Sequence, residues 1–331
     1  MEHQELTGIF RKLIDANSKF VLTTHVNPDA DGLGSELALS RFLGKIGKEC
    51  VVINHSETPA NHRFLDHDNE IRTFVPERDK DLVLGADVLI ALDMNNPGRL
   101  RSLEKYFLES PATKIIIDHH LEADDFVDYK LIDLDSPATA EIVYRCLAAY
   151  DTNLIDKSIA EALYAGLMTD TGSFRFPRTD GEVHRIVGHL LDLGVDPFYV
   201  YHNLFEENSL GRTRLLGEML STLDLAYDGR VSYASISLEQ LKRNNVVPDD
   251  VDNFVNQAGA ISGVIMTLFF LELDDGVKIS FRSKGETPVN ELAKLYGGGG
   301  HKNASGARLT GVKLGDAVRR VLADASQILT K

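Results

Sequence analysis

Residues 21–35, VLTTHVNPDADGLGS, run from an apolar stretch directly into one histidine and two aspartates within seven residues, His25, Asp29 and Asp31. The run FVLTTH (20–25) reads as a buried strand. After it, GSELALSRFLGKIGK (34–48) places apolar residues at 37, 39, 42, 43 and 46, the spacing of one helix face. Strand, polar turn and helix in that order open a βαβ unit. Taken one at a time, the acids have ordinary explanations: Asp31 as a helix N-cap, Asp29 as a turn residue after Pro28. Taken together they raise a charge problem, because carboxylates crowded beside a buried strand cost on the order of several kcal/mol each unless something neutralises them.

Three further runs resemble the first: ECVVINH (49–55), DVLIALD (87–93) and KIIIDHH (114–120). Each is short and rich in Val, Ile and Leu, as strands of a parallel sheet covered on both faces are. The expected fold is therefore α/β, with a parallel-sheet N-terminal domain flanked by helices. In such sheets ligands gather beyond the carboxyl ends of the strands. All four runs end in ionisable residues: His55 in one, and in the others His25, Asp93, and the series Asp118, His119, His120. A helical region follows through PATAEIVYRCLAAY (137–150), DKSIAEALYAGLMTD (156–170) and GEVHRIVGHLLDLG (181–194).

The chain of 331 residues suits two domains better than one. The expected division is a catalytic domain over 1–194, a helical connector over 195–219, and a smaller α/β domain with a mixed sheet over 220–331. The smaller domain opens with RVSYASISL (230–238) and continues with VIMTLFFLEL (264–273) and VKISFRSK (277–284), joined by the hairpin signal DDG at 274–276. The apolar runs are of strand length, well short of the ~18 residues that span a bilayer. The amphipathic, acidic MEHQELTGIF has no signal-peptide core. Cys50 and Cys146 form no CxxC pair and read as buried reduced thiols, so a cytoplasmic location is expected. A net charge of −15 with no basic stripe argues against tracking a long duplex; a nucleotide ligand would be small and held locally.

The strand-end residues and Asp170, in LMTDTGSF (167–174), make a mixed set: His25, Asp29, Asp31, Asp93, His119 and Asp170. An aspartate at a helix C-terminus opposes the macrodipole, and a nearby cation would compensate it. The set lacks cysteine, so it is unlike a structural zinc site, and oxygen-rich ligation with two imidazoles suits Mn²⁺ best, with Co²⁺, Fe²⁺ and Mg²⁺ as alternatives. Four ionised aspartates balance two divalent ions. Two metals roughly 3.5–4 Å apart can activate a water and stabilise an in-line phosphoryl transition state. Elsewhere, GGGGHKNASG (297–306) is a glycine-rich loop whose amides could cradle an anion, or a surface linker. Arg282 could present its guanidinium to a phosphate, or sit on an edge strand. His55, His62 and His67 read as solvated loop histidines.

The ordered motifs THVNPDADGLGS (24–35), ALD (91–93), DHH (118–120) and TDTGSF (169–174) resemble the metal motifs of the DHH phosphoesterase superfamily. FRS (281–283) and GGGGHKNASG resemble its DHH-associated domain, and the compact layout is similar to the nanoRNase/pAp phosphatase group. The resemblance implies that His25, Asp29 and Asp93 hold one metal ion, and that Asp31, Asp93, His119 and Asp170 hold a second. It implies that Asp118 orients a histidine and that His120 meets the substrate phosphate. It also implies that Arg282, Ser283, Gly298, Gly299, Gly300 and His301 bind the substrate across an interdomain cleft.

The activity expected is Mn²⁺-dependent hydrolysis of short single-stranded RNA to mononucleotides and dephosphorylation of pAp. The alternative is the same chemistry on c-di-AMP or its linear product pApA. Inorganic pyrophosphatase is disfavoured by the glycine-rich second domain, and a non-catalytic nucleotide binder by the complete ligand set. No membrane partner is expected, and for a homodimer the sequence displays no seam.

Overall fold

The computed structural model describes residues 3–121, 123–251 and 253–329. It divides into two compact units, Met1–Glu207 and Asn208–Lys331. The division falls inside the stretch expected to be a separate connector, whose helices are shared between the two units.

The first unit contains α1 (His3–Ala16), β1 (Lys19–Thr23), α2 (Ala30–Lys45), β2 (Glu49–Asn54), β3 (Ile71–Thr73), α3 (Pro76–Leu84), β4 (Val88–Leu92), α4 (Glu104–Glu109), β5 (Thr113–Asp118), β6 (Tyr129–Ile132), α5 (Thr139–Asp151), α6 (Lys157–Asp170), α7 (Gly181–Asp192) and α8 (Pro197–Tyr201). Its six strands are all parallel, in the order β3-β2-β1-β4-β5-β6. The chain winds outward one way from β1 and then the other way from β4, so the strand order reverses between these two neighbours. That reversal opens a crevice at their carboxyl ends.

Alternate residues of the central strands feed two cores, as a two-residue side-chain period requires. Phe20, Leu22, Val88, Ile90, Leu92, Ile115 and Ile117 pack with α1, α2, α5, α6 and α7. Val21, Leu89, Ala91 and Ile116 face the other way, toward Val83 of α3, Phe107 of α4 and the 3₁₀ turn Pro97–Leu103. The runs expected as strands are all present. β3 and β6, short outer strands carrying Arg72 and Lys130, went unforeseen.

The second unit contains α9 (Leu210–Ser221), β7 (Asp224–Ala226), β8 (Val231–Ile236), α10 (Leu238–Asn244), α11 (Phe254–Ala258), β9 (Met266–Leu273), β10 (Gly276–Ser283), α12 (Val289–Lys294), β11 (Gly299–His301), β12 (Ala304–Thr310) and α13 (Leu314–Leu329). Its sheet has the order β11-β12-β10-β9-β8-β7 and is mixed: β8 and β9 are parallel, the other pairs antiparallel. Met266, Leu268 and Phe270 of β9 pack with α12 and α13, while Phe269 and Leu271 pack with α9, α10 and α11. The DDG hairpin is present, and it needs its glycine: a Cβ on Gly276 would lie 1.9 Å from Leu309 O. Among the described residues no helix is long and apolar enough to cross a membrane.

Candidate active site

At the end of β1 the chain turns through Asn27, in the left-handed region at φ 53°, and enters α2 at Asp29. Asp29 is the N-cap; its Oδ1 accepts from the amides of Asp31 at 3.0 Å and Gly32 at 3.2 Å. The cap is therefore two residues earlier than the simple reading of Asp31 suggested. Asp31, fully buried in the first turn, reaches the next helical layer instead. Its Oδ2 accepts from Thr139 N at 2.7 Å and its Oδ1 from Ala140 N at 2.8 Å. Those are the first amides of α5, whose own N-cap, Ala138, has no side chain to offer. A carboxylate there meets both orphan donors and the positive end of the helix dipole.

The remaining acids converge on the same place. Asp93 follows β4 and is buried. Its Oδ2 lies 3.4 Å from His25 Nε2, and its Oδ1 lies 3.5 Å from His119 Nε2 and accepts from Thr139 Oγ1 at 3.1 Å. His119 Nε2 also approaches Asp170 Oδ2 at 3.4 Å and Asp31 Oδ2 at 3.9 Å, and His25 Nε2 approaches Asp29 Oδ2 at 3.8 Å. Both rings are oriented through Nδ1, on Val26 O at 2.9 Å and Ser136 O at 3.3 Å respectively, which turns each Nε2 toward the acids. Three groups within this unit have ligand atoms close enough to hold a cation, His25–Asp29–Asp93, Asp31–Asp93–His119 and Asp93–Asp118–His120, with Asp93 common to all. Asp170 joins the second through His119. The six residues expected to act together are thus gathered at the strand-order reversal.

Electrostatics shows what the cluster lacks. Burial, reinforced by Asp93 and Asp29, pushes the Asp31 carboxyl well above its ordinary range. Burial and the same crowd of acids push Asp170 up in the same way. Asp93 goes the opposite way: burial would raise it, but His25, His120 and His119 outweigh that and hold it low. Burial pushes His119 down, toward the neutral form that ligates metals. The site is short of positive charge by its own account.

His120 has a different partner from the other two rings. Asp118, at the end of β5, receives His120 Nδ1 at 2.7 Å. Burial opposes the charged ring, but Asp118 and Asp93 overcome it and raise the His120 pKa. Asp118 therefore orients the histidine, whose Nδ1 also lies 3.7 Å from Asp93 Oδ1.

In the second unit, GGGGHKNASG is built into the sheet and is not a free surface linker. Gly299–His301 form an outer strand hydrogen-bonded to β12. Gly298 and Gly300 are sterically required, since a Cβ would lie 2.1 Å from Gly306 O and 2.6 Å from Ala304 O respectively. Arg282 lies on β10, an inner strand, so the edge-strand alternative is excluded; its Nη1 donates to Phe281 O at 3.0 Å. Ser283 Oγ donates to Thr287 O at 2.6 Å and accepts from Asn303 Nδ2 at 2.8 Å, which commits it to holding the 283–287 loop.

The sequence reading missed several contributors. Thr139 braces Asp93, and Ser136 O orients His119. Asn54 ties the site to α2, accepting from Thr24 N at 3.0 Å and donating to the buried Glu36 at 2.8 Å. These act through hydrogen bonds across 17 to 46 positions and leave no local pattern. His62 also departs from expectation: its Nδ1 is buried and without a hydrogen bond.

An acid- and imidazole-lined crevice at the switch point of a parallel sheet, joined to a second α/β unit, defines a hydrolase of the phosphoesterase class. The model of the DHH family, N-terminal domain, matches residues 19–167, and that of the DHHA1 domain matches residues 228–331. The chain belongs to the DHH family. It is 33% identical over 311 residues to the bifunctional oligoribonuclease and PAP phosphatase NrnA of Thermus thermophilus, covering 94% of this chain and 90% of that protein. The protein of the same name from Bacillus subtilis is 29% identical over 95% of each chain. A crystal structure of an exopolyphosphatase-related protein from Bacteroides fragilis superposes with a TM-score of 0.93 at 31% identity, covering 99% of this chain and 98% of that one. The cyclic-di-AMP phosphodiesterase GdpP of Geobacillus thermodenitrificans is 26% identical, and the match spans 48% of its length.

Proposed function

We propose that this chain hydrolyses short RNA oligonucleotides to mononucleotides and dephosphorylates pAp. The observation that carries the chemistry is Asp93, one oxygen toward His25 and the other toward His119, in a buried cluster that lacks positive charge. Relatives named for both activities, matched along nearly their whole length, support the substrate class. The c-di-AMP reading has weaker support, because the relative named for it is twice as long and less similar.

The residues present fit two divalent cations. His25, Asp29 and Asp93 would hold one, and Asp31, Asp93, His119 and Asp170 the other, with manganese favoured by the mixture of carboxylates and imidazoles. Bound there, such ions lower the pKa of water and neutralise charge on a phosphoryl group undergoing in-line displacement. The chain's own part follows from its hydrogen bonds. Thr139 fixes the rotamer of Asp93, and Val26 O and Ser136 O keep the Nε2 lone pairs of His25 and His119 directed inward. Asp118 fixes the proton on His120 Nδ1 and raises the ring's pKa, so Nε2 is the atom that donates to a leaving oxygen. In the second unit, Arg282, Gly298 and the strand at Gly299–His301 are assigned to the nucleotide, Arg282 by charge and the glycines by exposed main chain.

The test is a panel of an RNA dinucleotide, a pentamer, a long oligomer, pAp, c-di-AMP, pApA and pyrophosphate, each with Mn²⁺ or EDTA. Fast turnover of the short RNAs and pAp, lost with EDTA and reduced roughly 10³-fold or more in Asp93→Ala, is the expected result. Preference for c-di-AMP or pApA would replace the substrate assignment, and unimpaired Asp93→Ala would remove the metal assignment.

A further inference from the structure

Arg99 has the features of an anion receptor that nothing in the site description uses. It lies in the 3₁₀ turn Pro97–Leu103 that follows Asp93. Its carbonyl accepts from Val26 N at 2.9 Å, which ties it to the residue after His25. The segment around it is fixed on both sides. Asn96 Oδ1 accepts from Gly98 N at 2.8 Å, Asn95 Nδ2 donates to Leu121 O at 2.7 Å, and Leu100 and Leu103 are buried in the sheet's second core.

Arg99 as a residue is half-buried, and among the described residues its guanidinium makes no hydrogen bond and no ion pair. Arg63, Arg72, Arg101 and Arg214 also make none, but all four are exposed, where water suffices. In a chain with 50 acidic residues, a half-buried arginine with no carboxylate on it is a group left open for an incoming anion. Its charge is felt at both His25 and His120, where it opposes protonation, so it stands near the ring assigned to the leaving oxygen.

We propose that Arg99 is a binding residue for the phosphoryl group of the substrate, receiving two non-bridging oxygens in its guanidinium fork on a preformed platform. It offsets the repulsion that an anionic phosphate meets from the site's four aspartates. The proposal rests on the phosphoesterase reading for what carries the phosphate; the phosphate itself can be tested alone.

The experiment measures binding of inorganic phosphate to the magnesium-loaded protein by calorimetry, for wild type, Arg99→Ala and Arg99→Lys. Magnesium affinity, Tm, and kcat and KM on pAp and an RNA dinucleotide are measured alongside. Arg99→Ala is expected to weaken phosphate binding about 10-fold or more and to lower kcat/KM about 10²-fold, with metal affinity and Tm unchanged. Arg99→Lys, a point charge without the fork, is expected to recover only part of either loss. Phosphate affinity within about twofold of wild type in Arg99→Ala would overturn the proposal. So would a parallel loss of metal affinity, which would make Arg99 a support for the His25 turn. If wild type cleaves neither pAp nor RNA while Arg99→Ala still loses phosphate, the substrate assignment fails and the Arg99 assignment stands.

Discussion

At Asp93 the backbone leaves β4 in the left-handed region, with φ of 58°, a conformation costing an L-residue about 1–2 kcal/mol. The turn is what lets one carboxylate sit between His25 and His119. Asn tolerates that conformation and would keep the backbone while removing the charge. The pair Asp118–His120 makes a separate prediction. Burial lowers the pKa of His120, but Asp118 and Asp93 more than reverse that, so the ring keeps its proton to higher pH than an ordinary imidazole. A step that needs that proton fails as pH rises through the raised value. Asp118→Asn removes the hydrogen-bonded partner, so the alkaline limb of kcat should move down by about one pH unit. NMR titration of the metal-free protein should show His120 falling in the same direction. A limb that stays in place would mean that the leaving oxygen takes its proton elsewhere.

The elements that carry the site touch where side chains are absent. A Cβ on Gly34 of α2 would lie 2.2 Å from Ala162 O of α6, and one on Gly166 of α6 would lie 2.9 Å from Asp31 Oδ1. Gly34→Ala should destabilise the protein by about 1–3 kcal/mol in urea unfolding and weaken metal binding, since Asp31 and Asp170 ride on these two helices. Gly44→Ala, in the same helix with nothing within 4 Å, is the control and should be neutral or slightly stabilising.

At this scale the parallel strands were legible because their covered faces force unbroken Val, Ile and Leu runs, and their C-terminal acids and histidines marked the crevice. β3 and β6 were not, because an outer strand of three or four residues needs no such run. The glycines at 298–300 read as a loop because the sequence shows their freedom, whereas the contacts of Gly298 and Gly300 with β12 show the crowding that requires those two. Thr139 was invisible because it acts on a residue distant in the chain, and Arg99 because what ties it to the His25 turn is its carbonyl's bond to the distant Val26.

On the whole molecule, the two units have separate hydrophobic cores, and all six proposed metal ligands belong to the first. In the metal-free protein Asp31 and Asp170 have raised pKa values, so the folded state binds more protons than the unfolded one above the normal aspartate range. Its stability therefore falls as pH rises from about 4 through those raised values. Divalent metal should remove that penalty for the first unit alone. Calorimetry should resolve two transitions, with Mn²⁺ raising one and leaving the other in place. Thiol labelling identifies which, because Cys50 and Cys146 both lie in the first unit and burial pushes Cys50 up to about 12 and Cys146 higher still. A single transition, or both moving together, would mean the units unfold as one.

The capping of α5 by Asp31 also sets an order of events during synthesis. The helix has no cap of its own, and the acceptor for its first amide lies 108 residues earlier in the chain. A nascent chain can therefore complete the start of α5 only after α2 has docked, and Asp170 arrives later still. The crevice closes late, by long-range contacts that form slowly, so an emerging chain has no finished site with which to capture metal or RNA until its first unit is nearly whole.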